Sequence, residues 1–349
     1  PLGKVFELGP DSFALARVTP RRGVRQALDL CTGSGVHAIL SAASAERSIA
    51  VDINPRALDF TTINAALNGV TVETRLADLY QAVQGEKFDL ITANPPFVPS
   101  PDPDVLIHRS AGESGEEIPE RLVAGLPEYL EEGGLFSMVL DHPVYERETY
   151  LDRLERWLGE KQGWGIAVLT FSKVTLPNYI MGHLQGVEKY DETFKQYLES
   201  YLRLGILSME FANVFIQRLK RDEPNWKIEQ ACPLPKIDLA AKVAELLDCQ
   251  RLYHARDLPL DPACRPRLSS NYVALWRDWN HTRGVVENAD DNPMTPDLLD
   301  SHEAELLALM QPGTLSVVDL HEAFSSKGHF EKAFRGLGRR RILDGVSFL

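Results

Sequence analysis

The stretch Phe88-Asp-Leu-Ile-Thr-Ala93-Asn94-Pro95-Pro96-Phe97 collects groups that can hold a nitrogen for reaction. The Asn94 amide oxygen and the Pro95 carbonyl can each accept a hydrogen bond from an amine or an amide, and the Phe97 ring can stack on or wall off a planar group. The prolines fix how these groups are displayed. Neither Pro95 nor Pro96 can donate to a sheet ladder, and a residue preceding proline is pushed out of the α region. A strand over Phe88–Ala93 must therefore end in a stiff, extended tip. Alone, such a tip is also what an ordinary proline-stiffened loop would look like, and the residues upstream decide between the two.

Upstream, Gln26-Ala-Leu-Asp29-Leu-Cys31-Thr-Gly33-Ser-Gly35-Val-His-Ala-Ile-Leu40 reads as an apolar strand ending near Asp29, a glycine turn and an apolar helix. Glycines there let a ligand approach the backbone, and the helix start offers free N–H groups. A second strand, Ser48-Ile-Ala-Val-Asp52, also ends in an acid. Asp52 follows the first loop by about 20 residues, the spacing at which a strand-tip acid bonds ribose hydroxyls. Asp29, the glycine loop, Asp52 and the Asn94 tip, in that order, make a combination that chance does not readily produce.

These motifs, Asp29-Leu-Cys-Thr-Gly-Ser-Gly35, Val51-Asp-Ile-Asn-Pro-Arg-Ala-Leu58 and Asn94-Pro-Pro-Phe97, resemble class I S-adenosylmethionine-dependent methyltransferases. Within that class the branch with the glutamine amide methyltransferases of release factors is most similar, over residues 26 to about 140. The resemblance implies S-adenosylmethionine as cofactor, bound by Asp29, Cys31, Gly33, Gly35, Asp52, Ile53, Asp78 and Asn94. It puts the Gly33–Gly35 loop under the methionine part, Asp52 on the ribose, Ile53 beside the adenine and Asp78 at the adenine amino group. Asn94, Pro95 and Phe97 would be the catalytic tip. Two positions depart from the family. Cys31 stands where glycine is usual, and its small side chain is expected to alter loop packing only slightly. Phe97 stands where the amide methyltransferases usually carry Tyr.

The elements that must position these residues alternate as a doubly wound α/β fold requires. Pro55–Asn68 has Pro at an early helical position and a Gly69 stop, and Val70–Leu76 alternates as an edge strand. His108–Glu117 is a polar glycine loop, placed where the family folds a segment over the substrate. A helix over Ile118–Leu130, a fifth strand over Leu135–Leu140 and the tip Asp141-His142-Pro143 follow. His142 could serve as a base or be structural. Tyr150–Leu158 (helix), Ile166–Phe171 (strand), Lys189–Leu204 (amphipathic helix) and Val214–Leu219 (strand) complete a seven-stranded, mostly parallel, Rossmann-like sheet. Residues 1–22 hold a turn and a short apolar helix that packs on the sheet or forms a lid. Residues 172–205 read as a helical insert whose aromatic stripe is core packing or a substrate enclosure.

The charged break Lys220–Asn225 suggests a catalytic domain over 1–222 and a smaller, mainly helical domain over 223–349. In the latter, Asp238–Leu247 and His302–Met310 are helical, and Leu315–Phe324 with Phe330–Leu343 resembles a helix-turn-helix, winged-helix-like segment. Net charge −13 and pI near 5.2 argue against a protein that coats nucleic acid. Arg339-Arg-Arg341 is the one dense basic run, read as a solvated helix end. The four cysteines show no Cys-x-x-Cys spacing, so no metal site is expected. No stretch approaches the ~20 apolar residues of a membrane span and no signal peptide opens the chain, so a cytoplasmic setting is expected. The chain does not begin with Met, which fits a processed protein or a fragment. The leading reading is N-methylation of an amine or amide on a small metabolite or a protein. The alternatives are attack at the methionine Cγ, cyclising the cofactor to an azetidine, and a non-enzymatic cofactor- or DNA-binding module.

Overall fold

The computed structural model describes residues 5, 7–102, 110–159, 162–184, 186–232, 234–255, 263–268, 272–276, 284–288, 297–310, 313–339, 343, 344 and 346. They form two compact units, Pro1–Ala241 and Lys242–Leu349.

The first unit is built on one eight-stranded sheet. Its strands are β1 (Gln26–Leu30), β2 (Arg47–Asp52), β3 (Glu73–Leu76), β4 (Phe88–Ala93), β5 (Leu130–Val144), β6 (Trp164–Thr175), β7 (Ser208–Arg218) and β8 (Trp226–Ala231), in the order β3-β2-β1-β4-β5-β7-β6-β8. All neighbouring pairs are parallel except those of β7 with β5 and β6. Parallel strands covered on both faces must be apolar along their length. Accordingly Leu28, Leu30, Ile49, Val51, Ile91 and Phe136 are all buried in one core.

The helices of this unit are α1 (Pro10–Val18), α2 (Val36–Ala42), α3 (Pro55–Leu67), α4 (Glu117–Tyr129), α5 (Tyr150–Leu158), α6 (Leu176–His183) and α7 (Tyr190–Arg203). Local chemistry sets several of their ends. Asn54 caps α3, accepting from the Arg56 N–H at 3.1 Å, with Pro55 at the first helical position. A reciprocal Thr149–Asp152 capping box starts α5, and Gly159 stops it in the left-handed conformation. For α1 the cap is Gly9, so Asp11 and Ser12 fall inside the first turn.

The sheet has eight strands rather than seven because β8 pairs in parallel with β6. Its alternation is easily overlooked in the sequence, since every second side chain faces solvent and the charged break precedes it. Trp226 anchors the strand over Gly165, where an added Cβ would come within 2.2 Å of the indole. For the same reason the two units divide at Ala241/Lys242, not at 222/223. β6 runs on to Thr175, so the helical insert begins at Leu176. Its aromatic stripe makes a satellite core, with Tyr179, Tyr197 and Tyr201 packed against Val98 just past the Asn94 tip.

Among the described residues the second unit has helices α8 (Ala240–His254), α9 (Ser301–Met310), α10 (Val317–Ala323) and α11 (Phe330–Arg339). Strands Tyr272–Trp276, Gly284–Asn288 and Asp297–Leu298 form a small antiparallel sheet, and Leu343–Asp344 pairs with Arg267–Leu268. Its core includes Leu306, Leu307, Phe324 and Phe334. His108, Arg109, Arg340 and Arg341, singled out in the sequence, lie outside the described residues. Among the described residues no helix is long and apolar enough to cross a membrane.

Candidate active site

A cleft of about 780 Å³ opens above the carboxyl ends of β1, β2, β4 and β5. Cofactor and substrate pockets of α/β folds sit in this position, and this size is ordinary for them. Cys31, Gly33, Asp52, Ile53, Asp78, Asn94, Pro95 and Phe97 line it, so most of the residues singled out in the sequence meet in one place.

Asp29 does not line the cleft. It is 1% exposed at the end of β1 and serves as the post to which the glycine loop is tied. Its Oδ2 accepts from Thr32 Oγ1 at 2.6 Å and from the Ala38 N–H at 3.3 Å, and its Oδ1 accepts from Thr92 Oγ1 at 2.8 Å. Burial nevertheless pushes its carboxyl up to about 6. Gly35, also absent from the lining, is needed for packing. Its φ is +85°, and an added Cβ would come within 2.7 Å of Thr61 on α3. From α3, Asn64 Nδ2 donates to the Ser34 carbonyl at 2.8 Å, fixing the loop from its other side.

Asp52 stands at the tip of β2 with each carboxylate oxygen accepting one backbone N–H, from Gly33 and from Asn54, both at 2.9 Å. Each oxygen keeps lone pairs for a further donor. Burial raises its pKa and these two bonds oppose the rise. Ile53 beside it is 59% exposed, an apolar face that a planar base can cover. Asp78 follows β3 and accepts from Arg121 Nη2 at 2.7 Å. Cys31 has φ +57°, the left-handed region that favours glycine, which accounts for the family's glycine there. Burial, with Asp52, Asp29 and Asp78 nearby, pushes its thiol well above the usual range, so it stays protonated and unreactive at neutral pH.

At the opposite end, Asn94 Nδ2 donates to Asp11 Oδ2 at 3.2 Å and to Ser12 Oγ at 3.3 Å, both in the first turn of α1. The amide orientation is thereby set, with Oδ1 as its remaining acceptor. α1 both packs on the sheet, where Thr19 and Ser137 hydroxyls meet at 2.9 Å, and contributes to the cleft wall. The insert secures the chain beyond the tip through Tyr201 Oη to the Pro99 carbonyl at 2.6 Å.

Sequence reasoning missed Asp11, Ser12, His37 and His183 as cleft residues. Asp141 was expected at a strand tip facing the crevice, and it lines the cleft, but no role was assigned to it. His37 follows the glycine loop, is 2% exposed, and its ring nitrogens have no hydrogen-bond partner among the described residues. Burial lowers its pKa to about 3, so it is a neutral imidazole. His142 is not a cleft residue. It stacks on Tyr150 with ring centroids 4.0 Å apart, and burial lowers it to about 3. Behind it the buried Arg153 bonds Glu116 at 2.8 Å and donates to the Pro143 carbonyl at 2.5 Å, clamping the end of β5 to the start of α4.

A strand-tip acid and a proline-stiffened tip thus line one cleft, and comparison with known proteins gives the class: a methyltransferase enzyme. The chain belongs to the methyltransferase small domain family, whose sequence pattern matches residues 7–162. It is 32% identical over 152 residues to a protein of Methanocaldococcus jannaschii named as a protein N5-glutamine methyltransferase, covering 42% of this chain and 77% of that one. A release factor glutamine methyltransferase of Koribacter versatilis is 35% identical over 150 residues, covering 38% and 54%. A ribosomal protein uL3 glutamine methyltransferase of Francisella tularensis is 28% identical over 191 residues, covering 50% and 57%. The chain thus spans little more than half the length of the latter two. Members of the family use S-adenosylmethionine.

Proposed function

We infer that this chain transfers the methyl group of S-adenosylmethionine to the nitrogen of an amine or amide, on a small molecule or a protein. The observation that carries this reading is the Asn94 tip, held by Asp11 and Ser12 in the same cleft as Asp52. The residues present fit the cofactor. Asp52 has carboxylate lone pairs for a ribose diol, Ile53 has an exposed face for a base, and Asp78 has acceptors for an exocyclic amine. An added Cβ at Gly33 would meet nothing within 4 Å, so the backbone there is open to close approach. When bound, S-adenosylmethionine supplies a methyl group made electrophilic by its positively charged sulfur.

The protein's own part is positioning. Asn94 Oδ1 and the Pro95 carbonyl accept two N–H bonds from the acceptor, turn its lone pair toward the methyl and stabilise positive charge developing on nitrogen. Phe97 walls the site. The relatives named as glutamine methyltransferases support nitrogen as the target.

The test is incubation with S-adenosylmethionine, with and without a panel of amines and of glutamine-containing peptides, read by mass spectrometry. The acceptor should gain one methyl group in step with conversion of the cofactor to S-adenosylhomocysteine. Consumption of the cofactor alone, yielding an azetidine acid, would replace this reading with attack at the methionine Cγ. No binding and no turnover would leave a non-enzymatic module.

A further inference from the structure

The neighbouring tip, on β5, carries a group that the two-acceptor arrangement at Asn94 does not use. The β4–β5 ladder ends at Ala93↔Met138, but β5 continues, and Asp141 stands three residues farther on, about 10 Å at strand rise. It therefore stands about two residues beyond the level of Asn94 and lines the same cleft, partly exposed. On its other side it pairs with Phe211 of β7.

We propose that Asp141 selects the acceptor, pairing with a protonated primary amine and taking its proton, so that the site prefers such an amine to a neutral amide. This rests on the methyltransferase reading above.

The donor count supports it. An amide nitrogen carries two N–H groups, and Asn94 Oδ1 with the Pro95 carbonyl satisfies both. A primary ammonium carries three, and a carboxylate is the natural third acceptor. A glutamine amide would leave a desolvated carboxylate without a counter-charge, whereas an ammonium supplies one. The relatives named as glutamine methyltransferases make this preference a real distinction.

The proton step balances simply. A proton leaves the ammonium nitrogen for an Asp141 oxygen, giving a carboxylic acid and a neutral amine whose electron pair stays on nitrogen. Rotation about the amine C–N bond by a third of a turn then moves one N–H from a carbonyl acceptor to the neutral Asp141 carboxyl, so that one of the two acceptor bonds is released and the pair is freed for attack. Burial and the nearby Asp11 hold Asp141 up to about 7, opposed by the facing Tyr179 hydroxyl, which is a range suited to a base. Tyr201 on α7 also interacts with it, and Glu7 and His183 are further titratable residues lining the same cleft.

The test is titration of n-butylammonium and of butyramide by calorimetry, into the free protein and into the protein saturated with S-adenosylhomocysteine, between pH 6 and 8. Butylammonium stays charged throughout. Its affinity should rise about tenfold over that range as Asp141 ionises, with butyramide flat and weaker. Asp141→Asn should abolish both the rise and the preference, while Asp141→Glu and His183→Gln should retain them. A flat butylammonium profile in the wild type, or an unchanged one in folded Asp141→Asn, overturns the proposal. Failure of S-adenosylhomocysteine to bind would count against the methyltransferase reading instead, and the titration of the free protein would still decide the role of Asp141.

Discussion

At one end of the cleft the wall is loop backbone and strand-tip acids, from residues 31–34, 52–54 and 78. At the other it is side chains brought together from α1, β4, β5 and α6. The first end is held mostly by bonds within residues 29–64, with Asp29 tying the loop from below, Asn64 fixing it from α3, and Gly33 and Asn54 orienting Asp52. The second depends on distant segments, with Asn94 bonded to residues 82 and 83 positions away. A locally built end can be kept while the tertiary end is changed, which is how one fold takes different acceptors.

Three substitutions would break or sharpen this contrast. Arg153→Ala should be the most damaging, because it strands Glu116 in the interior and frees the Pro143 carbonyl that steadies β5. A stability loss of ~3–5 kcal/mol is expected in urea denaturation. A loss under about 1 kcal/mol would show that the clamp does not hold the acceptor end. Asn94→Ala should cut turnover by ~10²–10³ while leaving cofactor affinity alone, the scale of losing one positioned polar group. Wild-type turnover in a folded variant would reduce the tip to a turn. Cys31→Gly should have the smallest effect. It relieves left-handed strain but leaves a small void, so stability should rise by no more than about 1 kcal/mol. A Tm drop equivalent to more than about 2 kcal/mol would mean that the thiol's packing matters more than its φ.

What could be read from the sequence follows the same division. Asp52 was readable because it is a strand tip at a set spacing after the glycine loop, whereas Ile53 and Asp78 were singled out by the family resemblance. Asp29 was readable as a tip, but spacing cannot tell an acid facing the ligand from one facing Thr32 and Thr92. Asn94 was given away by its prolines. Asp11 and Ser12 carried no site signal in the sequence, because their role depends on α1 crossing to the Asn94 tip. Asp141 and His183 belong to the tertiary end, where no local pattern marks which side chain turns inward. β8 was missed because one face is solvated and nothing nearby in sequence pairs with it.

The central claim is that the locally built end holds S-adenosylmethionine through Asp52. Calorimetric titration of S-adenosylmethionine into wild type, Asp52→Ala and Asn94→Ala tests it in one experiment. Asp52→Ala should weaken binding by ~1.5–3 kcal/mol, the loss of charged hydrogen bonds to a diol, with Asn94→Ala close to wild type. Unchanged affinity in a folded Asp52→Ala protein would contradict it.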